Sequence, residues 1–298
     1  MEMFNKKSQS ERIGDELKKS SSLDPLKEVE RYFLKKMRQY KTEASYDVIA
    51  NETPYFRTIN YTEYANCFII HPLCQDLRVQ QMRDAYNDNT TNTLDYIKYF
   101  KSNILENKSN KYKDREDLDL EAKSALVVLV GSNKLKDRVC LNKLSWIKDN
   151  YDDDVYFKPH PLTYHTLIGE LKDIFGEDKI LPREANMYSL MLKSDIVYTS
   201  HMSESAIYAT ALNKEINPID VYNKVEQGSF YHINKFLFIE NDPQTWVNRT
   251  FSSYKSGIIN PVLNKDWKSS IDNYLEYIHE VRDMYKDFYI EELKKDKK

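Results

Sequence analysis

Val155-Tyr156-Phe157-Lys158-Pro159-His160-Pro161 joins a short apolar run to a stiff polar loop. The apolar run favours a strand, and the two prolines cannot continue a helix or a ladder, because proline fixes φ and lacks a donor N–H. The stretch therefore predicts a strand that ends at Lys158 and His160. About forty residues later, Asp195-Ile196-Val197-Tyr198-Thr199 predicts a second strand, followed by the polar loop Ser200-His201-Met202-Ser203-Glu204-Ser205.

Strand and helix patterns alternate regularly around these two loops. Such alternation with short connections predicts an α/β fold, with a parallel sheet and helices on both of its faces. Ligands of such sheets bind at the carboxyl edge, so we expect the two polar loops to meet in one site. The predicted strands are 125–130, 155–157, 179–181, 195–199 and 216–220, and the predicted helices are 139–148, 163–175, 187–192 and 204–213.

The segments on either side of this alternation carry longer helical patterns. Asp24-Pro25 is typical of a helix start, and apolar residues follow it at helical spacing to Tyr40. Shorter patterns predict helices at 77–86 and 94–104 and strands at 47–50 and 66–70, and the polar run 107–121 is the best linker candidate. A second long amphipathic helix is predicted near the C-terminus, with a coiled-coil dimer seam as the alternative, from Trp267, Ile271, Tyr274, Ile278, Val281, Tyr285 and Phe288.

Composition and charge are those of a soluble globular protein. Charged residues make up 31% and hydrophobic residues 41% of the chain, and the net charge of −3 indicates no general attraction to nucleic acid or anionic lipid. Cys67, Cys74 and Cys140 have no metal-binding spacing and are expected to be reduced thiols. With neither a signal core nor a membrane-length apolar run, the sequence predicts a cytoplasmic protein without a transmembrane segment.

Several common catalytic motifs are missing. There is no GxSxG, Walker A or GxGxxG pattern, which counts against serine hydrolases, nucleoside triphosphatases and dinucleotide oxidoreductases. The acidic run Asp152-Asp153-Asp154 precedes a predicted strand rather than following one, so a solvated turn is the expected role. The histidines show no metal-ligand spacing either, and the prediction is a site without metal or cofactor.

The chemistry of the two polar loops favours an anion. His160, held between prolines with Lys158 close by, would present its ring to a phosphate oxygen, and each charge-assisted bond there is worth about 1.5–3 kcal/mol. The alternative is a structural turn in which the histidine caps a neighbouring carbonyl. Hydroxyls of Ser200, Ser203 and Ser205 at a predicted helix start would either cap that helix locally or bind an anion together with its free amides.

Two further features belong to the same predicted site. Gly131-Ser132-Asn133-Lys134 follows the first strand of the alternation and forms a third strand-end loop, so Gly131, Ser132 and Lys134 are candidate phosphate contacts. Glu204 would repel a phosphate, and hydroxyls of a sugar or ribose are the natural partners of its carboxylate.

Three segments together resemble the C-terminal half of GT-B-type glycosyltransferases, over roughly residues 122–222. They are the loop Lys158-Pro159-His160-Pro161, the later serine-rich loop and the stretch Leu212-Asn213-Lys214-Glu215-Ile216. The similarity is to the capsule-polysaccharide and sialyltransferase-like groups with HP and paired-serine motifs. It implies that His160, Ser203 and Ser205 bind the phosphate of a nucleotide-sugar, with Lys158 and Ser200 as additional contacts and Glu204 on the ribose. The acidic-acidic-glycine motif that supplies the base in sialyltransferases has no match, which leaves His71 and Asp76, after a predicted N-terminal strand, as candidates.

The resemblance also implies a domain organisation. We expect a flexible tail at 1–22, a smaller helix-rich α/β domain on the acceptor side at 23–118, a nucleotide-sugar-binding Rossmann-like domain at 119–262, and an amphipathic helix at 263–298 that packs back on the body. The expected activity is metal-independent transfer of a sugar to an acceptor hydroxyl of a surface polysaccharide or lipooligosaccharide, or of hydroxymethylated bases in phage DNA. Alternatives are a non-catalytic nucleotide- or sugar-binding module and a nucleotide-sugar epimerase.

Overall fold

The computed structural model describes residues 24–43, 56–59, 66–72, 75–106, 116–131, 141–222 and 230–295. The predicted tail at 1–22, the predicted strand at 47–50, and the candidate site residues Ser132 and Lys134 lie outside the described residues.

Helices and strands alternate through most of the described chain. In order they are α1 (Asp24–Glu43), β1 (Phe56–Ile59), β2 (Phe68–Pro72), α2 (Gln75–Tyr86), α3 (Tyr96–Leu105), β3 (Lys123–Val128), α4 (Leu141–Tyr151), β4 (Val155–Lys158), α5 (His165–Phe175), α6 (Met187–Leu192), β5 (Ser194–Thr199), α7 (Ser205–Ala211), β6 (Glu215–Pro218), α8 (Tyr231–Leu237), α9 (Pro243–Ser252), β7 (Ile258–Ile259) and α10 (Trp267–Lys295).

The larger sheet has four parallel strands in the order β4-β3-β5-β6. Val128 pairs with both Lys158 and Thr199, and Thr199 pairs with Pro218, so the four strands end level with one another. The predicted strand at 179–181 is reduced to a single bridge between Ile180 and Phe157 at the outer edge of β4. The predicted α/β fold with a parallel sheet is confirmed.

Helices cover both faces of this sheet. Successive side chains of a strand point to opposite faces, so neighbouring residues of β3 pack against different helices. On one face, Ala125 and Val127 of β3 pack with side chains of α4 and α5 such as Leu144 and Leu171. On the other face, Leu126 and Val128 pack with side chains of α6 and α7. The helix that follows β3 and the helix that follows β5 therefore lie on opposite faces.

The smaller sheet is antiparallel, with the strand order β1-β2-β7. Both long amphipathic helices are present, and they bury their apolar stripes against β2 in one cluster with Phe68 and Ile70. From α1 this cluster takes Leu26, Val29, Phe33 and Met37, and from α10 it takes Trp267, Ile271, Tyr274, Ile278 and Val281. Strand β1 and strand β7, which closes the sheet from a distant part of the chain, were not predicted.

The hydrophobic core continues across the boundary predicted at residue 118. One cluster of buried side chains contains Cys67 and Phe100 from the N-terminal segment together with Leu126 and Trp246 from the segment that follows. Part of the predicted linker is also in contact with the body, since Asp117 accepts a hydrogen bond from the Asn186 side chain at 2.9 Å. The two predicted domains thus share one core.

Candidate functional site

Four loops meet at the carboxyl edge of the parallel sheet. Gly131 follows β3, His160 follows β4, Ser200 follows β5 and Asp220 follows β6. Neighbouring strands lie about 4.8 Å apart, so the four loops form a row of about 14 Å. The two polar loops predicted to converge do so, one on each side of the loop after β3.

The strand order reverses at β3. From β3 the chain moves outward to β4 and then crosses to β5 on the opposite side, and α4 and α7 leave the sheet on opposite faces. Connections that diverge in this way open a crevice outside the strand ends, which is where open α/β sheets bind ligands. In this chain the corresponding position is between the ends of β3 and β5, at Gly131 and Ser200.

His160 has a fixed orientation at this edge. Its Nδ1 accepts a hydrogen bond from the Leu162 backbone N–H at 3.1 Å, and its carbonyl accepts one from the Thr163 N–H at 2.9 Å. Because Nδ1 holds the accepting lone pair, the neutral ring carries its hydrogen on Nε2. The ring also lies against Gly131, where an added Cβ would be 3.6 Å from Nδ1. The turn is thus capped by the histidine, at an amide rather than the predicted carbonyl, and Nε2 is a donor.

Lys158 lies beneath the loop rather than on its surface. The side chain is 2% exposed, and Nζ donates to the carbonyls of Pro159 and Arg183, both at 2.7 Å. These bonds tie the start of the His160 loop to the segment between α5 and α6. The observed role of Lys158 is therefore to position the loop, and its predicted phosphate contact stays a prediction.

We expect Lys158→Met to lower the unfolding free energy by about 2–3 kcal/mol, because two buried carbonyls lose a charged donor. Lys172→Met is the matched control, since Lys172 pairs at 3.2 Å with the exposed Glu177, and such pairs contribute at most about 1 kcal/mol. Urea denaturation of both variants measures the difference. Wild-type stability combined with weaker nucleotide binding in Lys158→Met would instead support a phosphate contact.

The hydroxyls of Ser203 and Ser205 bond to each other at 2.5 Å, and the Ser205 hydroxyl also bonds to that of Thr199 at 2.7 Å. The Ser203 hydroxyl accepts from the Ser205 N–H at 3.2 Å, which closes a short serine turn just before α7. Ser205 is buried and Ser203 is half-buried. The two serines therefore fasten the end of β5 to the start of α7, with Ser203 closer to solvent.

Glu204 is nearly buried and accepts a hydrogen bond from the Tyr208 hydroxyl on the next turn of α7. Its charge reaches the core thiol of Cys67, whose pKa is raised above its usual range mainly by burial and further by Glu204. The carboxylate therefore faces the interior side of α7, and its predicted contact with a ribose stays a prediction.

Sequence reasoning missed a histidine–carboxylate pair at the same edge. The Nδ1–H of His201 donates to Asp220 Oδ1 at 2.7 Å, and the His201 backbone N–H donates to the same oxygen at 3.0 Å. Asp220 Oδ2 accepts from the Ser200 hydroxyl at 2.5 Å. Both members of the pair are buried, at 5% and 9% exposure. An acidic residue at the end of the strand after the serine-rich loop is the signal that would have found them.

The two catalytic candidates from the N-terminal segment differ in exposure. His71, in β2, is fully buried, and its ring lies 5.4 Å from that of His232. Burial, with His71 and Arg78 adding to it, lowers the pKa of His232 well below its usual value. Asp76 is exposed in the first turn of α2. The base role predicted for both residues stays a prediction.

Tyr222, in the loop after β6, lies beside His201 at the carboxyl edge. Burial first, and then the Asp76 carboxylate, raise the pKa of Tyr222, whose ring is 5.7 Å from the ring of His201.

Two other kinds of feature are absent from the part of the chain that the structure describes. Among these residues, no group of three or more His, Cys, Asp or Glu side chains gathers in a way that could hold a metal ion. None of the described helices is both long enough and apolar enough to cross a bilayer. Comparison of the chain with protein-family models and with curated proteins finds no match.

Proposed function

We propose that this chain is a GT-B-like glycosyltransferase that binds a nucleotide-activated sugar in the crevice between Gly131 and Ser200. One observation carries the proposal: the His160 loop and the serine-rich loop flank the strand at which the sheet order reverses. That arrangement is the general ligand position of open parallel sheets.

The polar groups at this edge suit a phosphate leaving group. His160 offers an Nε2–H from a ring that Leu162 and Gly131 hold in place. Gly131 has no side chain, so a phosphate can approach the backbone closely there. The Ser203 hydroxyl adds a second donor across the crevice. Fixed donors of this kind stabilise the charge that develops on the departing nucleotide, without a catalytic metal.

We place the acceptor on the side away from His160, where the ring of Tyr222 lies 5.7 Å from that of His201. A hydroxyl of a surface polysaccharide or lipooligosaccharide is the first acceptor class, because the net charge of −3 indicates no general attraction to nucleic acid. Hydroxymethylated bases of phage DNA are the second acceptor class, and for these the affinity would fall steeply with salt.

A non-catalytic nucleotide- or sugar-binding module is the second candidate function. It is favoured by the inward bonds of Lys158 and Ser205 and by the burial of His71, since these three residues are among those predicted to carry the chemistry. A thermal-shift screen with UDP, GDP, CMP, CDP and their sugars, followed by an assay for slow donor hydrolysis, separates the two functions. A transferase passes the sugar to water slowly, and a binding module only binds.

The variant His160→Asn tests the donor site. Asparagine can place an oxygen near Nδ1 and so keep the bond from the Leu162 N–H, while the Nε2–H is lost. We expect the affinity for the nucleotide found in the screen to fall about 10- to 100-fold, since one charge-assisted hydrogen bond is worth about 1.5–3 kcal/mol. Isothermal titration calorimetry measures the loss, and the melting temperature should stay close to that of the wild type.

His165→Asn is the matched control, because His165 is exposed at the start of α5. It should bind the nucleotide as the wild type does. Equal affinity in the wild type and in His160→Asn would remove His160 from the proposed site.

A further inference from the structure

We propose that His201 is the general base of the sugar transfer and that Asp220 is its positioning residue. This inference rests on the proposed function and assigns the base that the sequence left open. It starts from the pair at the ends of β5 and β6, in which His201 Nδ1 lies 2.7 Å from Asp220 Oδ1.

The hydrogen bond to Asp220 decides which ring nitrogen of His201 can take a proton. An ionised carboxylate only accepts hydrogen bonds, so Nδ1 must carry the hydrogen. In the neutral ring the lone pair is then on Nε2, and within the described chain no hydrogen bond reaches that nitrogen. A carboxylate that holds Nδ1–H in this way also stabilises the imidazolium that forms after proton transfer.

The neutral rings of the two histidines at this sheet edge therefore carry their hydrogens on different nitrogens. His160 accepts at Nδ1 and presents an N–H at Nε2, whereas His201 donates at Nδ1 and presents a lone pair at Nε2. One is suited to hold a leaving phosphate, and the other is suited to take a proton. Their strands are separated only by β3, which is about 10 Å for two strand spacings.

The base is held rigidly. Asp220 also accepts from the Ser200 hydroxyl and from the His201 backbone N–H, which fixes the carboxylate. The side-chain amide of Asn234 donates to the carbonyls of His201 and Ser203 at 2.8 and 2.7 Å and fixes the loop. The His201 ring packs against three aromatic rings at centroid distances of 4.8–5.7 Å, those of Tyr222, Tyr231 and Phe238. A catalytic group locked in this way keeps its direction when substrate binds.

The chemical step then balances as a direct displacement. The acceptor O–H gives its proton to His201 Nε2, and the freed oxygen electron pair forms a bond to the anomeric carbon. The bond from that carbon to the phosphate oxygen breaks, and its electrons leave with the nucleoside phosphate, which His160 stabilises through Nε2–H. The proton on His201 later passes to water. A positioned base of this kind contributes about 10²–10⁴-fold in rate.

The competing explanation is a purely structural pair that ties the loops after β5 and β6 together. His201→Asn separates the two roles, because the asparagine amide can still donate to Asp220 from near the position of Nδ1, while Nε2 is removed. Asp220→Asn is the companion variant, since its amide can donate to the ring and so favour the wrong tautomer. A structural role predicts altered stability, and a catalytic role predicts altered turnover at unchanged donor affinity.

The test uses the full chain with UDP-glucose, GDP-mannose and CMP-N-acetylneuraminic acid as probes. Nucleotide release to water gives the turnover number, and calorimetry gives the donor affinity. We expect His201→Asn and Asp220→Asn each to lower turnover by about 10²–10⁴-fold with the dissociation constant changed less than threefold. The double variant should lose no more than the stronger single variant, because the two residues act as one unit. Added imidazole should restore part of the turnover of His201→Gly.

Two outcomes count against the assignment, and they are distinguishable. If the wild type hydrolyses a probe and His201→Asn hydrolyses it at the same rate, the base assignment is overturned and the proposed function stays intact. Wild-type protein that neither binds nor hydrolyses any of the probes would overturn the proposed function, and the base assignment with it.

Discussion

Trp246→Ala should lower the unfolding free energy by about 3–5 kcal/mol, the usual cost of deleting a large buried aromatic side chain. Trp246 lies on α9, is 1% exposed and stacks on Phe236 with centroids 5.6 Å apart. It belongs to the cluster that joins the N-terminal segment to the parallel sheet. The lower stability should therefore shift the urea transition of the whole protein, and different spectroscopic probes of unfolding should show the same single shifted transition.

Trp146→Ala is the matched control for this prediction. Trp146 lies on α4, is 47% exposed, and has the ammonium of Lys143 4.0 Å from its ring centroid. An exposed cation–π contact is worth about 0.5–1 kcal/mol, so its removal should shift the transition only slightly. If the two variants were equally stable, burial of the Trp246 side chain would contribute no more to the unfolding free energy than the exposed Trp146 does.

Gly257→Ala carries the second large expected effect, a loss of about 2–4 kcal/mol. Gly257 has φ of +67°, in the left-handed region that side chains disfavour. A Cβ there would also collide with the carbonyl oxygen of Ile70 in β2, whose N–H donates to the Gly257 carbonyl at 2.8 Å. Backbone strain and a clash with a paired strand therefore add up, and denaturation in urea measures their sum.

The same substitution at Gly169 should act in the opposite direction. Gly169 lies within α5, and an added Cβ would meet no atom within 4 Å. Alanine is favoured over glycine inside a helix by about 0.5–1 kcal/mol, so Gly169→Ala should stabilise the protein. Destabilisation of similar size in both variants would contradict the steric argument for Gly257.

Local patterns were sufficient to predict the parallel sheet and its helices. Apolar runs and amphipathic spacing specify each element within a few residues of chain, and the order of elements along the chain gives the doubly covered sheet. Strands β1 and β7 were missed because they are short and because β7 is defined by pairing with β2, far away in sequence. The shared core was missed for the same reason, since polarity at 107–121 does not reveal what packs across it.

The site was predicted at the level of loops and only partly at the level of side chains. The rule for parallel sheets placed His160 and the serine-rich loop at one edge. Sequence could not show that Lys158 and Glu204 turn inward, because that depends on which carbonyl or hydroxyl lies beneath each one. The pairing of His201 with Asp220 needed the knowledge that β6 lies next to β5.

The position of β2 between β1 and β7 has a consequence for biosynthesis. Phe68 and Ile70 are covered by α1 and by α10, and the last strand partner of β2 is β7; α10 and β7 both leave the ribosome late. At about 5–20 residues per second, the emerging β2 waits about 10–40 s with part of its apolar face uncovered and one edge unpaired. Fragments that stop before residue 258 lack both β7 and α10 and should therefore aggregate.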